Sequence, residues 1–300
     1  MTISPAPEPA FESTSFAPNP HLLRIRDLLY QTAGTFHPDH RLRFLQDHCI
    51  RRMEELRITG LREYLGCLTA QHNQQTELTA LLNEMIAGET CFFPNAPHLN
   101  ALRNVILPRI VHEKSSLPVR RLKIWSAGCS TGEEPYSLAI LLMEESKNLL
   151  ADWSLEIQAT DLDERSVAHA RKGLYDQHAT QNLTPQIRQQ YFAEESGGLA
   201  ISTQARSCVT IQRLNLLDDS PMSLIGDFDI IFCCNVLIYF DLAAKNRVLQ
   251  QFLGSLLPNG YLFLGHTESL FGLNDGFRLV HLPSATAYRK QARVQERSHS

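Results

Sequence analysis

Lys123-Ile124-Trp125-Ser126-Ala127-Gly128-Cys129-Ser130-Thr131-Gly132-Glu133-Glu134-Pro135-Tyr136-Ser137 joins three kinds of local structure in fifteen residues. An apolar strand runs into a loop of small residues and then into a helix. Gly128 and Gly132 carry no Cβ, so backbone there can come close to a ligand. Ser130 and Thr131 offer hydroxyls. Pro135 suits the first turn of the next helix, where its missing N–H costs nothing. An α/β sheet builds a cofactor site in this way, at the carboxyl ends of its strands. The same residues also describe a tight strand–helix turn with ordinary acidic capping, so the surrounding sequence has to choose.

The loop lacks the G-x-G-x-x-G of dinucleotide sites, and no Lys follows Gly132 as in a phosphate loop. Glu133 and Glu134 favour the helix dipole but would repel a pyrophosphate. A ligand with positive groups fits better, and S-adenosylmethionine has an ammonium and a sulfonium.

On either side of this loop, short apolar runs alternate with helical patterns. Strands are expected at 122–127, 155–160, 209–214, 228–233 and 261–265, and helices at 134–149, 164–171 and 242–257. That alternation predicts a parallel sheet covered on both faces, closed by an antiparallel pair at 277–282 and 286–289. The polar stretch 174–208 interrupts the pattern and reads as an inserted subdomain. Upstream the texture is helical. Leu22, Ile25 and Leu29 recur at helix spacing, as do Leu42, Leu45, Cys49 and Met53. Gly60 is a plausible stop, Leu61, Leu65 and Leu68 open a third helix, and Leu78, Leu81 and Met85 mark a fourth. A fifth helix is expected over 99–111. The expected organisation is a disordered lead-in (1–20), a helical domain (21–90), a linker and helix (91–118), a Rossmann-like α/β domain (119–290) and a frayed tail (291–300).

Candidate ligand groups stand at strand ends. The second strand ends Ala159-Thr160-Asp161-Leu162-Asp163. Asp161 is placed to grip two ribose hydroxyls, while Asp163 starts the next helix. Asn235, closing the fourth strand, has an amide for the cofactor's amino-acid part. Asn215 and Leu216 could hold an adenine by amide and backbone, or form a plain loop. Tyr239 could aim a hydroxyl at the methyl acceptor, or be an edge-of-core aromatic beside Phe240.

Composition removes several classes. Of 300 residues, 43% are hydrophobic and the formal net charge is -4, which does not suggest nucleic-acid binding. No apolar run reaches the length of a membrane span. The first 20 residues lack the basic start and apolar stretch of a signal peptide. The 7 cysteines are scattered without C-x-x-C, as expected of small buried residues in a reducing cytosol. No His is set in a metal-binding spacing, so no metal is expected, and His266 reads as a structural histidine. Arg41, Arg43, Arg51, Arg52 and Arg57 crowd one helix, as a solvated face or as a dock for an acidic partner.

Taken together, S-x-x-x-S-T-G-E-E-P-Y-S, A-T-D-x-D, F-C-x-N-V-L-I-Y-F-D and G-x-L-F-L-G-H-x-E resemble the CheR family of chemotaxis receptor methyltransferases, from the N-terminal helices to about Tyr288. The resemblance implies a helical N-terminal domain followed by a class I S-adenosylmethionine-dependent methyltransferase domain with a small β insertion. The implied reaction is methylation of glutamate side chains on the cytoplasmic helical bundle of methyl-accepting receptors, with S-adenosylhomocysteine as product. By position it implies cofactor contacts at Thr90, Glu134, Asp161, Asn215, Leu216, Asn235 and Val236, with Gly128 in the same loop. Tyr239 is then nearest the acceptor carboxylate, and the arginine-rich helix docks the receptor. Two departures stand out. The family's T-x-F-F-R reads Thr90-Cys91-Phe92-Phe93-Pro94 here, and Cys234 replaces an arginine before Asn235-Val236. Arg103 or Arg109 are candidates to compensate. The alternative is a cofactor-binding adaptor or pseudoenzyme that docks receptors without methylating them. A Rossmann oxidoreductase and a nucleic-acid methyltransferase are disfavoured by the missing dinucleotide fingerprint, the missing N-P-P-Y-type motif and the net charge.

Overall fold

The structure, a computed structural model, describes residues 19–33, 42–70, 74–86, 90–218, 226–266, 268–283 and 285–291. Arg41 and most of the expected lead-in and tail lie outside the described residues.

Four helices come first: α1 (Pro20–Ala33), α2 (Leu42–Leu56), α3 (Leu61–Thr69) and α4 (Gln74–Ile86). Leu22, Ile25 and Leu29 meet Leu45, Cys49, Tyr64, Leu68 and Leu81 in one apolar core. The helical spacing of these residues puts each set on a single stripe. Arg52 is also inside, 9% exposed. Its Nε and Nη2 donate to the Glu77 carboxylate at 3.0 and 2.8 Å, and the Tyr64 hydroxyl donates to the same group at 2.9 Å. A forked guanidinium–carboxylate pair of this kind ties α2, α3 and α4 together.

The expected fifth helix is built in three pieces: α5 (Ala96–Ala101), a π-helical turn (Leu102–Ile106) and α6 (Leu107–Glu113). Pro108 explains the turn. It has no N–H and its ring would strike the carbonyl four residues back, so the ladder widens and the Leu107 N–H reaches Leu102.

The remaining elements are β1 (Arg121–Ala127), α7 (Glu133–Glu145), β2 (Ser154–Asp161), α8 (Glu164–Lys172), β3 (Leu174–Tyr175), α9 (Pro185–Tyr191), β4 (Phe192–Glu195), β5 (Gly198–Ile201), α10 (Thr203–Ser207), β6 (Val209–Arg213), β7 (Phe228–Cys233), α11 (Leu242–Ser255), β8 (Leu256–Leu264), β9 (Phe277–Leu282) and β10 (Ala285–Lys290). Seven strands form one sheet in the order β6-β2-β1-β7-β8-β10-β9. The first five are mutually parallel, and β10 runs antiparallel to both β8 and β9. Strand β7 is buried along its whole length, as a strand covered on both faces must be. Ile124, Ile230 and Phe232 face Leu102, Leu138 and Leu142 on one side. Trp125, Ile231 and Cys233 face Val248, Leu249 and Phe252 on the other. β3, β5 and β4 make a separate antiparallel sheet within the interrupting stretch.

Two expected boundaries move. α7 stops at Glu145 rather than 149, where the Ser146 hydroxyl takes the Met143 carbonyl at 2.7 Å in competition with the ladder. α11 stops at Ser255 because Pro258 disfavours helix just before it, and β8 starts there instead.

Strand β1 has β2 on one side and β7 on the other, so the winding direction reverses at β1. A crevice opens at the carboxyl ends of such strands. The helical unit reaches the same place: Leu162, next to Asp161, packs on its core, and the Tyr30 hydroxyl donates to Asp241 at 2.6 Å.

Candidate active site

The loop after β1 is held by the end of β2. The Gly128 and Cys129 N–H groups donate to the Thr160 carbonyl at 2.8 and 2.9 Å. Gly128 sits at φ +79° and Gly132 at φ +100°, a region that favours glycine. A Cβ on Gly132 would stand 2.8 Å from both the Ala170 Cβ and the Tyr175 hydroxyl. Asp161 braces the loop: its Oδ2 accepts the Ser130 N–H at 2.7 Å, and its Oδ1 accepts the Asp163 N–H at 2.9 Å. Asp163 itself caps α8 by accepting the N–H groups of Arg165 and Ser166.

The loop after β7 turns sharply at Asn235, at φ +62°, and passes through a single 3₁₀ turn (Leu237–Tyr239) into α11, which Asp241 caps. Glu268, in the loop after β8, accepts the N–H groups of Asn235 at 2.8 Å, Gly265 at 2.7 Å and Ile238 at 3.1 Å. Sequence reasoning placed Glu268 within a motif and gave it no role.

These loops enclose a cavity of about 260 Å³. Gly128 and Glu134 line it from the β1 side, and Asp161, Asn215 and Leu216 from the ends of β2 and β6. Asn235, Val236 and Tyr239 close it from the β7 side, and Thr90 from the linker. Cys91, Pro94, Asn95, Cys129, Ser130 and Cys234 complete much of the wall, and the sequence reading gave none of them a cofactor contact. The linker is pinned near its start by two successive residues: Phe92 N–H donates to the Ala179 carbonyl at 2.8 Å, and Phe93 N–H to the Ser137 hydroxyl at 2.7 Å.

The wall is acidic. Glu134 accepts the Ser126 hydroxyl at 2.7 Å. Burial pushes its carboxyl up to about 7, opposed by hydrogen bonds from Ser126 and Cys234, with the Glu268 charge adding to the rise. Burial also raises Asp161, against its backbone N–H bonds. The described lining residues include no Lys, Arg or His. Arg103 is paired at the surface with Glu145 at 2.6 Å, and neither it nor Arg109 reaches the lining. Such a wall suits a ligand with cationic groups. Each Asp161 oxygen keeps a lone pair for a ribose hydroxyl, and Asn215, whose Oδ1 accepts the Leu217 N–H at 3.0 Å, keeps its amide NH₂ for an acceptor. The site therefore fits an adenosine with free ribose hydroxyls that carries a cationic amino-acid chain. Among the described residues no group of three His, Cys, Asp or Glu side chains could hold a metal ion.

The arginine-rich helix is divided. Arg43 and Arg51 are exposed on α2, and Arg57 is exposed just beyond it. Arg52 corrects the expectation of a docking face: it is buried against Glu77 and faces no partner surface. His266, at the mouth of β8, is exposed and stacks on the buried His98 with ring centroids 5.0 Å apart.

A seven-stranded sheet with this order, its last pair antiparallel, and an acid-lined cavity at the switch point define a class I S-adenosylmethionine-dependent methyltransferase. The family profile described as "CheR methyltransferase, SAM binding domain" matches residues 88–286, and the chain belongs to the CheR family. It is 31% identical to chemotaxis protein methyltransferase 2 of Vibrio cholerae, over 89% of this chain and 91% of that protein. It is 33% identical to the chemotaxis protein methyltransferase of Escherichia coli, over 86% and 87%. It is 34% identical to chemotaxis protein methyltransferase 1 of Pseudomonas aeruginosa, over 88% and 96%.

Proposed function

We propose that the protein methylates glutamate side chains on the cytoplasmic helical bundle of chemotaxis receptors, forming glutamate methyl esters. The acid-lined cavity ending at Tyr239 carries this reading. A glutamate is already ionised at neutral pH, with an ordinary pKa near 4.3, so no general base is required of the wall. S-adenosylmethionine, when bound, supplies a methyl group on a good sulfonium leaving group. The chain's residues then have to align and exclude water. Asp161 grips the ribose hydroxyls, and Asn215 with Leu216 holds the adenine. Glu134 and Asn235 with Val236 hold the amino-acid end, over a floor opened by Gly128 and beside Thr90. Tyr239 directs the acceptor carboxylate.

The exposed arginines Arg43, Arg51 and Arg57, interleaved with the exposed acids Asp47, Glu54 and Glu55, are the groups through which the helical unit meets an acidic helical bundle. The receptor segments methylated are those that project into the cytoplasm. No helix among the described residues is long and apolar enough to cross a membrane.

The test is incubation with methyl-labelled S-adenosylmethionine and receptor cytoplasmic fragments, counting label released as methanol by base. Base-labile label that disappears in glutamate-to-alanine substrates supports the reading. No label, with S-adenosylhomocysteine still binding, would overturn it and leave a receptor-docking pseudoenzyme.

A further inference from the structure

Glu268 lies half-buried behind the cavity and outside its lining. Both of its oxygens are committed to backbone. Oε2 accepts the N–H groups of Asn235 at 2.8 Å and Gly265 at 2.7 Å, and Oε1 accepts the N–H of Ile238 at 3.1 Å. Its own N–H returns to the Gly265 carbonyl at 3.0 Å. One side chain thus ties the end of β8 to the loop that follows β7.

That loop needs a tie. Asn235 turns it at φ +62°, in the left-handed region that asparagine reaches more readily than other residues with a Cβ, and the N–H groups turned inward there need partners. The described bonds internal to the loop, Tyr239 N–H to Val236 and Phe240 N–H to Leu237, leave the Asn235 and Ile238 N–H groups to Glu268. Gly265 makes the approach possible. A Cβ there would stand 2.3 Å from the Asn235 Oδ1, 2.9 Å from its backbone nitrogen and 2.8 Å from the Glu268 Oε2. The loop so fixed carries Asn235, Val236 and Tyr239 on the cavity wall.

We propose that Glu268 is a positioning residue for methyl transfer: its carboxylate, locked against Gly265, sets the backbone from Asn235 to Tyr239 so that cofactor and acceptor are held in one alignment. This rests on the methyltransferase reading of the cavity. Replacing one carboxylate oxygen by an amide NH₂ would turn a donor toward backbone donors and free the loop. Loosening the loop that carries three of the cavity's wall residues is expected to weaken the ligand by about tenfold.

The test uses the full chain with Glu268→Gln and Glu268→Asp, S-adenosylhomocysteine as the calorimetric probe, and receptor fragments for kinetics. The expected result is a Kd higher by about tenfold at unchanged stoichiometry for Glu268→Gln, a lower kcat, and an unchanged KM for the receptor fragment. Glu268→Asp, which keeps both oxygens on a shorter arm, falls between this and the native protein; should Glu268→Gln not fold, it alone carries the same reading. A lower stoichiometry at native Kd would mean that Glu268 serves only folding, and a native Kd and kcat would mean that it serves neither; both overturn the proposal. Native protein that binds the probe but never methylates receptor fragments would refute the receptor reading alone, because the change in Kd is read without a receptor.

Discussion

Val236 closes directly over Gly128: a Cβ built on Gly128 would stand 2.4 Å from the Val236 Cγ2. The two residues come from different loops, one after β1 and one after β7, and they meet at the floor of the cavity. Gly128→Ala must therefore displace one loop or the other. It also places a Cβ at φ +79°, which costs about 1–2 kcal/mol. The expected outcome is a lower thermal midpoint together with a loss of S-adenosylhomocysteine affinity of about tenfold or more. Native affinity in the alanine variant would show that the glycine does not shape the ligand's floor.

Glu134 makes ligand binding pH-dependent. Its carboxyl and that of Glu133 are each pushed up to about 7, in both cases chiefly by burial. A raised carboxyl keeps its proton better in the folded chain than in the unfolded one. Its contribution to stability is complete below the ordinary value of 4.5 and is lost as pH climbs through about 7. The ligand-free protein should lose stability across that window. A bound ammonium favours the ionised Glu134, so binding below pH 7 releases a proton, and affinity rises with pH until it levels above that value. Calorimetry in two buffers of different ionisation heat reads the proton directly. Heats that do not depend on buffer on the acid side of neutrality, or a Glu134→Gln variant that keeps the native pH profile, would count against the assignment.

What the sequence showed, and what it hid, follows from the range of the interactions. The strand–loop–helix from Lys123 to Ser137 was legible because small residues at fixed offsets state a local backbone requirement. The strand ends at Asp161, Asn215 and Asn235 were legible because parallel strands bring their carboxyl ends to one edge. Glu268 was not, since its partners are backbone N–H groups, two of them about thirty residues away on the loop after the neighbouring strand, and backbone partners carry no residue signature. Arg52 was misread by counting charge along a helix without asking which face each charge takes. It lies seven residues after Leu45 and three after Cys49, on the buried stripe, and that spacing was available.

Tyr239 separates alignment of the acceptor from binding of the cofactor. It lines the cavity, and its hydroxyl donates to the Met85 carbonyl on α4 at a long 3.4 Å. Tyr239→Phe keeps the ring in the wall and removes only the hydroxyl. The kcat for receptor methylation should fall by about tenfold to a hundredfold, the worth of one hydrogen bond to a charged group, while S-adenosylhomocysteine affinity stays native. A loss of affinity equal to the loss of rate would instead make Tyr239 part of the cofactor wall.

The arginines of α2 should divide in the same way as their burial. Arg52 is locked against Glu77, with Glu55 as a second partner at the surface. Arg52→Ala leaves the Glu77 carboxylate buried without its cation, a change that costs about 3–5 kcal/mol. That variant should unfold at much lower denaturant concentration whether or not a receptor is present. Arg43 and Arg51 are exposed on the same helix. Their replacement by glutamate should shift stability by no more than about 0.5 kcal/mol and leave cofactor affinity unchanged. It should raise the KM for receptor fragments, and added salt should shrink that difference, because exposed charges are screened within about 10 Å at 0.1 M salt. A KM that does not respond to either charge reversal would move the receptor's docking site off α2, while the Arg52 result would still report the internal pair.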